Sequence, residues 1–453
     1  MSMQIRAGER QAEMWIATSD LSRSPGHPFY ERLNAILAEV GFDRHVESLC
    51  EKFYSDRTGR PSIPPGTYMR MLLVGFFEGL DSERGIAWRC FDSLALRSFL
   101  GFDLSQATPD HSSLSRIRQR LDVETHQSVF TFVLKVLAEK GLLRGQTLGI
   151  DSTTLEANAA LKSIVRRDDG TGYHDYLVSL AKSSGIETPT REDLARLDRK
   201  REKKGSNDDW TNPHDPQAKI VKMKDGSTHL AHKAEHAVDM ESGAVIAVTI
   251  QDAVAGDPTS MLETMKTSLE NVRAVVQMSD DAASIETPSE WVGDKGYHSN
   301  DTMEAIAELG DRSYVSEPKR GKRCWDGRTE ARDATYANRR RVRGDRGKAL
   351  MRKRGELIER SFAHCLETGA MRRTHLRGQD NILKRYLVHV AGFNLSLVMR
   401  TIFGVGKPKG LQGRAAELCG SLCGLAASMV DRLWLILDNQ QWSSPRARER
   451  WAA

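Results

Sequence analysis

Around Thr147 the hydrophobic pattern changes period, and that change limits the fold more than any other feature of the chain. Thr147-Leu-Gly-Ile-Asp151-Ser-Thr-Thr reads as a short apolar strand ending on a carboxylate. Two alternating runs follow, 229–240 and 244–251, and Glu241-Ser-Gly243 between them has the composition of a hairpin turn. Beyond these the spacing predicts a helix over 258–272, a strand near Trp291 ending at Asp294, a helix over 300–309 and a strand around Tyr314. Three strands able to pair antiparallel, then alternating helices and strands, predict a mixed α/β domain.

Before Thr147 the period is helical. Residues 68–80 put Met69, Leu72, Leu73, Phe76 and Leu80 at helical spacing behind the breaker Pro61-Ser-Ile-Pro-Pro-Gly. Helices are expected over 82–89, 94–100 and 128–140, with another capped by Thr108 or Asp110 and running to Leu121. The last bears Ser112, Ser113, Ser115, Arg116 and Arg118, which suits a helix-turn-helix-like module or a plain bundle equally. Residues 155–228 form a polar interruption too long for a connection, with a mixed-charge helix near 191–204, and read as an insertion. Further helices are expected over 350–368, 381–403 and 414–437. The expected division is a helical region at 1–143, an α/β domain at 144–368 and a helical region at 369–453.

Charge is distributed unevenly. Residues 319–354 hold fifteen Lys/Arg against four Asp/Glu, a surplus of eleven; the whole chain carries +5, so the remainder sums to −6. A concentrated positive segment on an otherwise acidic molecule suits a polyanion, with nucleic acid first. A membrane surface fits poorly because no apolar helix face adjoins the run. The uncharged stretch 418–430 is short for a spanning helix. Six scattered cysteines, with Cys419 and Cys423 in an apolar stretch, and no leader pattern predict a reducing cytoplasm and no zinc.

Asp151 and Asp294 each close an apolar strand, and Glu359 lies on a helix just after the basic run. Carboxylates from two strand ends and a helix can converge on hard cations; magnesium needs few protein ligands because it keeps waters. Two such ions can activate an attacking oxygen and stabilise the leaving oxygen of a phosphodiester. Among 61 acidic residues, spacing alone does not select these three.

A set of motifs in order does. Gly59-Arg-Pro-Ser-Ile63, Pro109-Asp-His-Ser-Ser-Leu-Ser-Arg116, Gly149-Ile-Asp-Ser-Thr153, His232-Lys-Ala-Glu-His-Ala-Val-Asp239, Gly293-Asp-Lys-Gly-Tyr-His298, Ile358-Glu-Arg-Ser-Phe362 and Leu376-Arg-Gly378 together resemble a bacterial insertion-sequence transposase of the DDE superfamily. The resemblance implies an RNase H-like fold, a mixed five-stranded sheet with helices, interrupted by the insertion and flanked by helical regions. It implies Asp151, Asp294 and Glu359 as the metal-binding triad for two Mg2+ ions, with Mn2+ as the substitute. It further implies that the N-terminal helices recognise the terminal inverted repeats, and that a homo-oligomer on DNA frees a 3′-hydroxyl at the element end and joins it to target DNA. A bacterial cytoplasmic, nucleoid-associated location is the matching expectation. Many relatives carry Tyr seven and Arg four residues before the helical Glu, and Lys seven after it; this chain has Arg352, Gly355 and Leu366 there. Glu356, one turn earlier, is therefore the rival of Glu359.

Lys233, Lys295 and Arg360 are candidates for positioning DNA phosphates, with Tyr297 beside them, and Arg339, Arg340, Arg341 and Arg343 for binding phosphate collectively. Asp239 and Asp257 read as turn residues. His229 faces opposite to His232 and His236 on a strand, so they make no ligand set. Trp210 is either a small local core or a wedge for an unstacked base. Two rivals share the fold: a nuclease that cuts without joining, and a catalytically silent DNA-binding relative.

Overall fold

A computed structural model of the chain describes residues 26–55, 62–201, 205–223, 226–279, 285–319, 321 and 323–411. The expected helix over 414–437, Cys419 and Cys423, and most of the Gly59–Ile63 motif lie outside them.

Among the described residues seven α-helices precede the sheet: α1 (Pro28–Glu39), α2 (Phe42–Cys50), α3 (Pro65–Glu78), α4 (Glu83–Asp92), α5 (Leu94–Phe99), α6 (His111–Arg120) and α7 (Val123–Glu139). Local signals set their ends. Pro65 opens α3 and Gly79, at φ +69°, closes it. Asp110 caps α6 by accepting from Ser113 N at 2.8 Å, and Asp122 caps α7 by accepting from Thr125 N at 2.7 Å.

The sheet begins with β1 (Thr147–Glu156). Within the insertion come β2 (Val165–Arg166), α8 (Tyr173–Ser183), α9 (Arg191–Lys200), β3 (Trp210–Thr211) and β4 (Lys219–Lys222). Then follow β5 (Thr228–Asp239), β6 (Val245–Asp252), α10 (Asp257–Met278), β7 (Glu290–Gly293), α11 (Asn300–Glu308) and β8 (Arg312–Val315). The chain continues through α12 (Thr329–Arg343), α13 (Asp345–Ala363), a π-helical turn at His364–Thr368 and α14 (Gln379–Phe403).

β5 pairs antiparallel with β1 on one edge and with β6 on the other, while β1–β7 and β7–β8 pair in parallel. This is the mixed RNase H-like sheet. The short β4 lengthens it by pairing with the start of β5, so the insertion adds a sixth strand. The hairpin between β5 and β6 forms at Glu241–Gly243, where Gly243 takes φ +77° and Asp239 accepts from Glu241 N and Ser242 Oγ at 2.8 and 3.0 Å.

One hydrophobic core runs from the N-terminal helices through both faces of the sheet. α14 lies at its centre against α3, α7 and β6. Among the described helices it alone is long and apolar enough to cross a membrane, yet most of its apolar stretch is buried inside the protein. Gly392 lets it pass α3: a Cβ there would fall 2.6 Å from the Phe76 ring. The insertion has separate small cores. Trp210 is buried with Ile164, Ala157 and Leu230, and Tyr173 and Tyr176 meet it edge-on, so the local-core role is the one it fills.

Candidate active site

The site grows from the pleat of two adjacent parallel strands. Gly149 of β1 pairs with Val292 of β7, so Asp151 and Asp294, each two residues further on, leave the sheet side by side on one face. That face is covered by α13, which packs on both strands. Gly149 makes room for the helix: a Cβ there would meet Met240 Cε at 2.5 Å and Arg354 Cγ at 3.2 Å.

Asp151 accepts from Ser152 N at 2.8 Å through Oδ1 and from Arg354 Nη1 at 2.6 Å through Oδ2. Burial raises its carboxyl above the usual range; the Arg354 guanidinium and the Ser152 N–H pull it down, and the charge of Asp294 pushes it up again. Asp294 begins the turn Lys295–Tyr297, its Oδ1 accepting from Gly296 N at 2.8 Å. Each carboxylate thus has one oxygen fixed by a backbone N–H.

Glu359 sits on α13, exposed, in none of the ion pairs of the described residues. Glu356 is paired with Arg360 at 2.6 Å. The two aspartates are neighbours, but neither glutamate joins them here: among the described residues no group of three His, Cys, Asp or Glu is spaced to hold a metal ion.

A further carboxylate borders the site. A Cβ on Gly296 would lie 2.4 Å from Asp257 Oδ2 and 3.1 Å from Asp294 Oδ1, so these side chains flank the one residue without a Cβ. Asp257, read from sequence as a turn residue, starts α10 and takes Lys233 Nζ at 2.5 Å. Lys233 also donates to Ser260 Oγ at 2.9 Å and Ala255 O at 3.3 Å. Behind it Glu235 is wholly buried, accepting from Ser260 at 2.9 Å, Tyr297 at 2.7 Å and Thr264. Burial raises the Glu235 carboxyl, opposed by those hydroxyls and by Lys233. Next to this network a polar cavity of about 660 Å³ is lined by Ser152, Thr153, Thr154, Lys222, Asp257 and Arg372.

The basic residues divide. Lys233, expected to meet DNA phosphate, is instead buried against Asp257, because α10 covers that face of β5. Arg339 forms a two-pronged pair with Glu317 at 2.8 and 2.9 Å, and Arg341 donates to Ser313 O and Oγ at 2.9 and 3.0 Å; both brace α12. Lys295, Arg340, Arg343 and Arg360 are exposed. The three histidines have separate partners: His232 binds Asp215 at 3.0 Å, His236 binds Ser361 and Tyr386 at 2.8 and 3.0 Å, and His229 lies 3.4 Å from Glu156.

Two family models match the chain. Transposase domain (DUF772) matches residues 19–120, and Transposase DDE domain matches residues 150–394, more than half of the sequence. A search of the curated proteins finds no match.

Proposed function

The chain belongs to the Transposase DDE domain family and acts on DNA as a transposase; from that premise we propose that it cleaves insertion-element ends and joins the freed 3′-hydroxyl to target DNA at Asp151 and Asp294. The observation that carries this reading is the pair of aspartates on adjacent parallel strands, each partly exposed and each held by one backbone N–H.

The donor set suits a divalent ion. Both side chains offer carboxylate oxygens, which hard cations prefer, and a guanidinium already rests on Asp151 where a cation would. Magnesium or manganese would be held by Asp151 and Asp294, two ions in the full reaction; Glu359, which faces solvent on α13, is the third carboxylate that the family resemblance assigns. Such ions polarise the scissile phosphate and ease deprotonation of the attacking oxygen. The residues of the chain do the rest. Ser152 N and Gly296 N each fix one oxygen of a carboxylate. Lys233 and Tyr297 hold Asp257 and Glu235 behind them, giving the site a fixed wall. Lys295, beside Asp294, and exposed Arg340, Arg343 and Arg360 supply positive charge for the phosphodiester backbone. Terminal inverted repeats are the DNA cut, the N-terminal helices their readers, and a homo-oligomer on DNA the working form.

A labelled duplex carrying the element end, incubated with the full chain, Mg2+ or Mn2+ and target DNA, tests this. Expected are cut ends and joined products with the native protein, and a loss of both by at least about three orders of magnitude for Asp151→Asn or Asp294→Asn with end binding retained. Cutting without joining selects a plain nuclease. Cleavage that survives both substitutions removes the site.

A further inference from the structure

Arg354 is the one cation in direct contact with either aspartate among the described ion pairs. It reaches Asp151 from α13 at 2.6 Å through Nη1, with its side chain 14% exposed and that of Asp151 30% exposed. Its stem lies over Gly149, whose missing Cβ leaves the space. The pair is incompletely satisfied, since Arg354 Nε is buried without a hydrogen-bond partner. Arg339, by contrast, uses two guanidinium nitrogens on Glu317. Arg354 therefore holds Asp151 through one guanidinium nitrogen, as Arg118 holds Glu83.

Position on the helix adds a second point. Glu359 follows Arg354 by five residues, which at 3.6 residues per turn places it about 140° around α13. With Arg354 against Asp151, Glu359 therefore faces solvent, as observed.

We propose that Arg354 is an internal counter-cation that occupies Asp151 and competes with a divalent metal ion for that carboxylate. This rests on the reading of Asp151 and Asp294 as metal-binding carboxylates. Arg354 offsets one of two neighbouring carboxylates and leaves the other uncompensated; a divalent ion offsets both, and the displaced guanidinium is then free to meet the phosphate that enters with DNA. Arg354 acts here through Asp151 as a positioning residue. Loss of an internal competitor tightens binding by the factor with which the competitor held the site.

Mn2+ binding to the full chain without DNA, measured by calorimetry and by electron paramagnetic resonance, tests the proposal without reading activity. Arg354→Gln is expected to bind Mn2+ about five-fold or more tightly than the native protein. Arg354→Lys keeps the stem over Gly149 and one positive charge, and is expected to fall between them, which covers the case in which the glutamine variant does not fold. Asp151→Asn is expected to lose the site. Affinity equal to or weaker than native in the Arg354 variants, with binding lost in Asp151→Asn, overturns the counter-cation while leaving the aspartate site standing. Native affinity in Asp151→Asn overturns both.

Discussion

His236 stands opposite Asp151 in the β1–β5 register, wholly buried, its two ring nitrogens used by Ser361 and Tyr386 and its ring stacked on Phe362. Burial holds its pKa down to about 3. In the unfolded chain the ring takes a proton near pH 6.5, whereas in the folded protein it stays neutral until about 3, so the unfolded state binds more protons in that window. Stability from this group is complete above about pH 6.5 and falls with pH below it, at up to about 1.4 kcal/mol per pH unit. Urea unfolding at pH 7, 6 and 5 should therefore show the native protein losing its advantage over His236→Gln as pH drops; parallel curves would contradict the account. At this scale the sequence discloses the residues that end a pattern. Asp151 and Asp294 are legible because each follows an apolar run, although β1 does not end at Asp151 as that run suggests but continues to Glu156. Arg354 is not, since it is one base among fifteen in its segment and its partner lies 203 residues away. Lys233 misleads for a related reason: alternation tells which face it takes but not that α10 brings Asp257 and Ser260 onto that face.

The basic segment behaves as two helices. In α12 the buried stripe is Ala331, Ala334, Thr335 and Asn338, small or polar residues that give little apolar period, so the helix is invisible to hydrophobic spacing. α13 carries Ile358 and Phe362 inward and is legible, though it begins at Asp345 rather than Leu350. Counting charge along the run overstates what DNA can use, because Glu317 lies just outside it and takes Arg339. Among the described residues of the run, exposed Lys319, Arg340, Arg343, Arg352 and Lys353 remain outside the ion pairs. Replacing any of these by Gln should weaken end binding and lower the slope of log affinity against log salt by up to about 1. Arg339→Gln and Arg341→Gln should instead lower the melting temperature and leave that slope unchanged. Titrations between about 50 and 200 mM salt decide it; an Arg339 variant that changes the slope as Arg340 does would overturn the division.

Across the whole molecule the change of period at Thr147 marks a change of secondary structure within one core. α7 packs on α10 and α14, Gln127 donates to Asn271 at 2.7 Å, and α14 reaches back to α3. The five principal strands are readable from alternation and apolar runs. The β4 extension is not, because its four residues belong to a polar insertion and gain their place only by pairing with β5. What this architecture delivers is two neighbouring carboxylates under a helix that sets Arg354 on Asp151 and leaves Glu359 exposed, and the proposed reaction stands on those two aspartates sharing a metal ion. The most direct measurement replaces Mg2+ by Fe2+, adds ascorbate and peroxide, and maps where the polypeptide is cut by radicals made at the ion. The account predicts cuts in the segments around 149–153 and 292–296, suppressed by excess Mg2+ and absent in Asp151→Asn. Cuts confined to other segments, or an unchanged pattern in that variant, would contradict it.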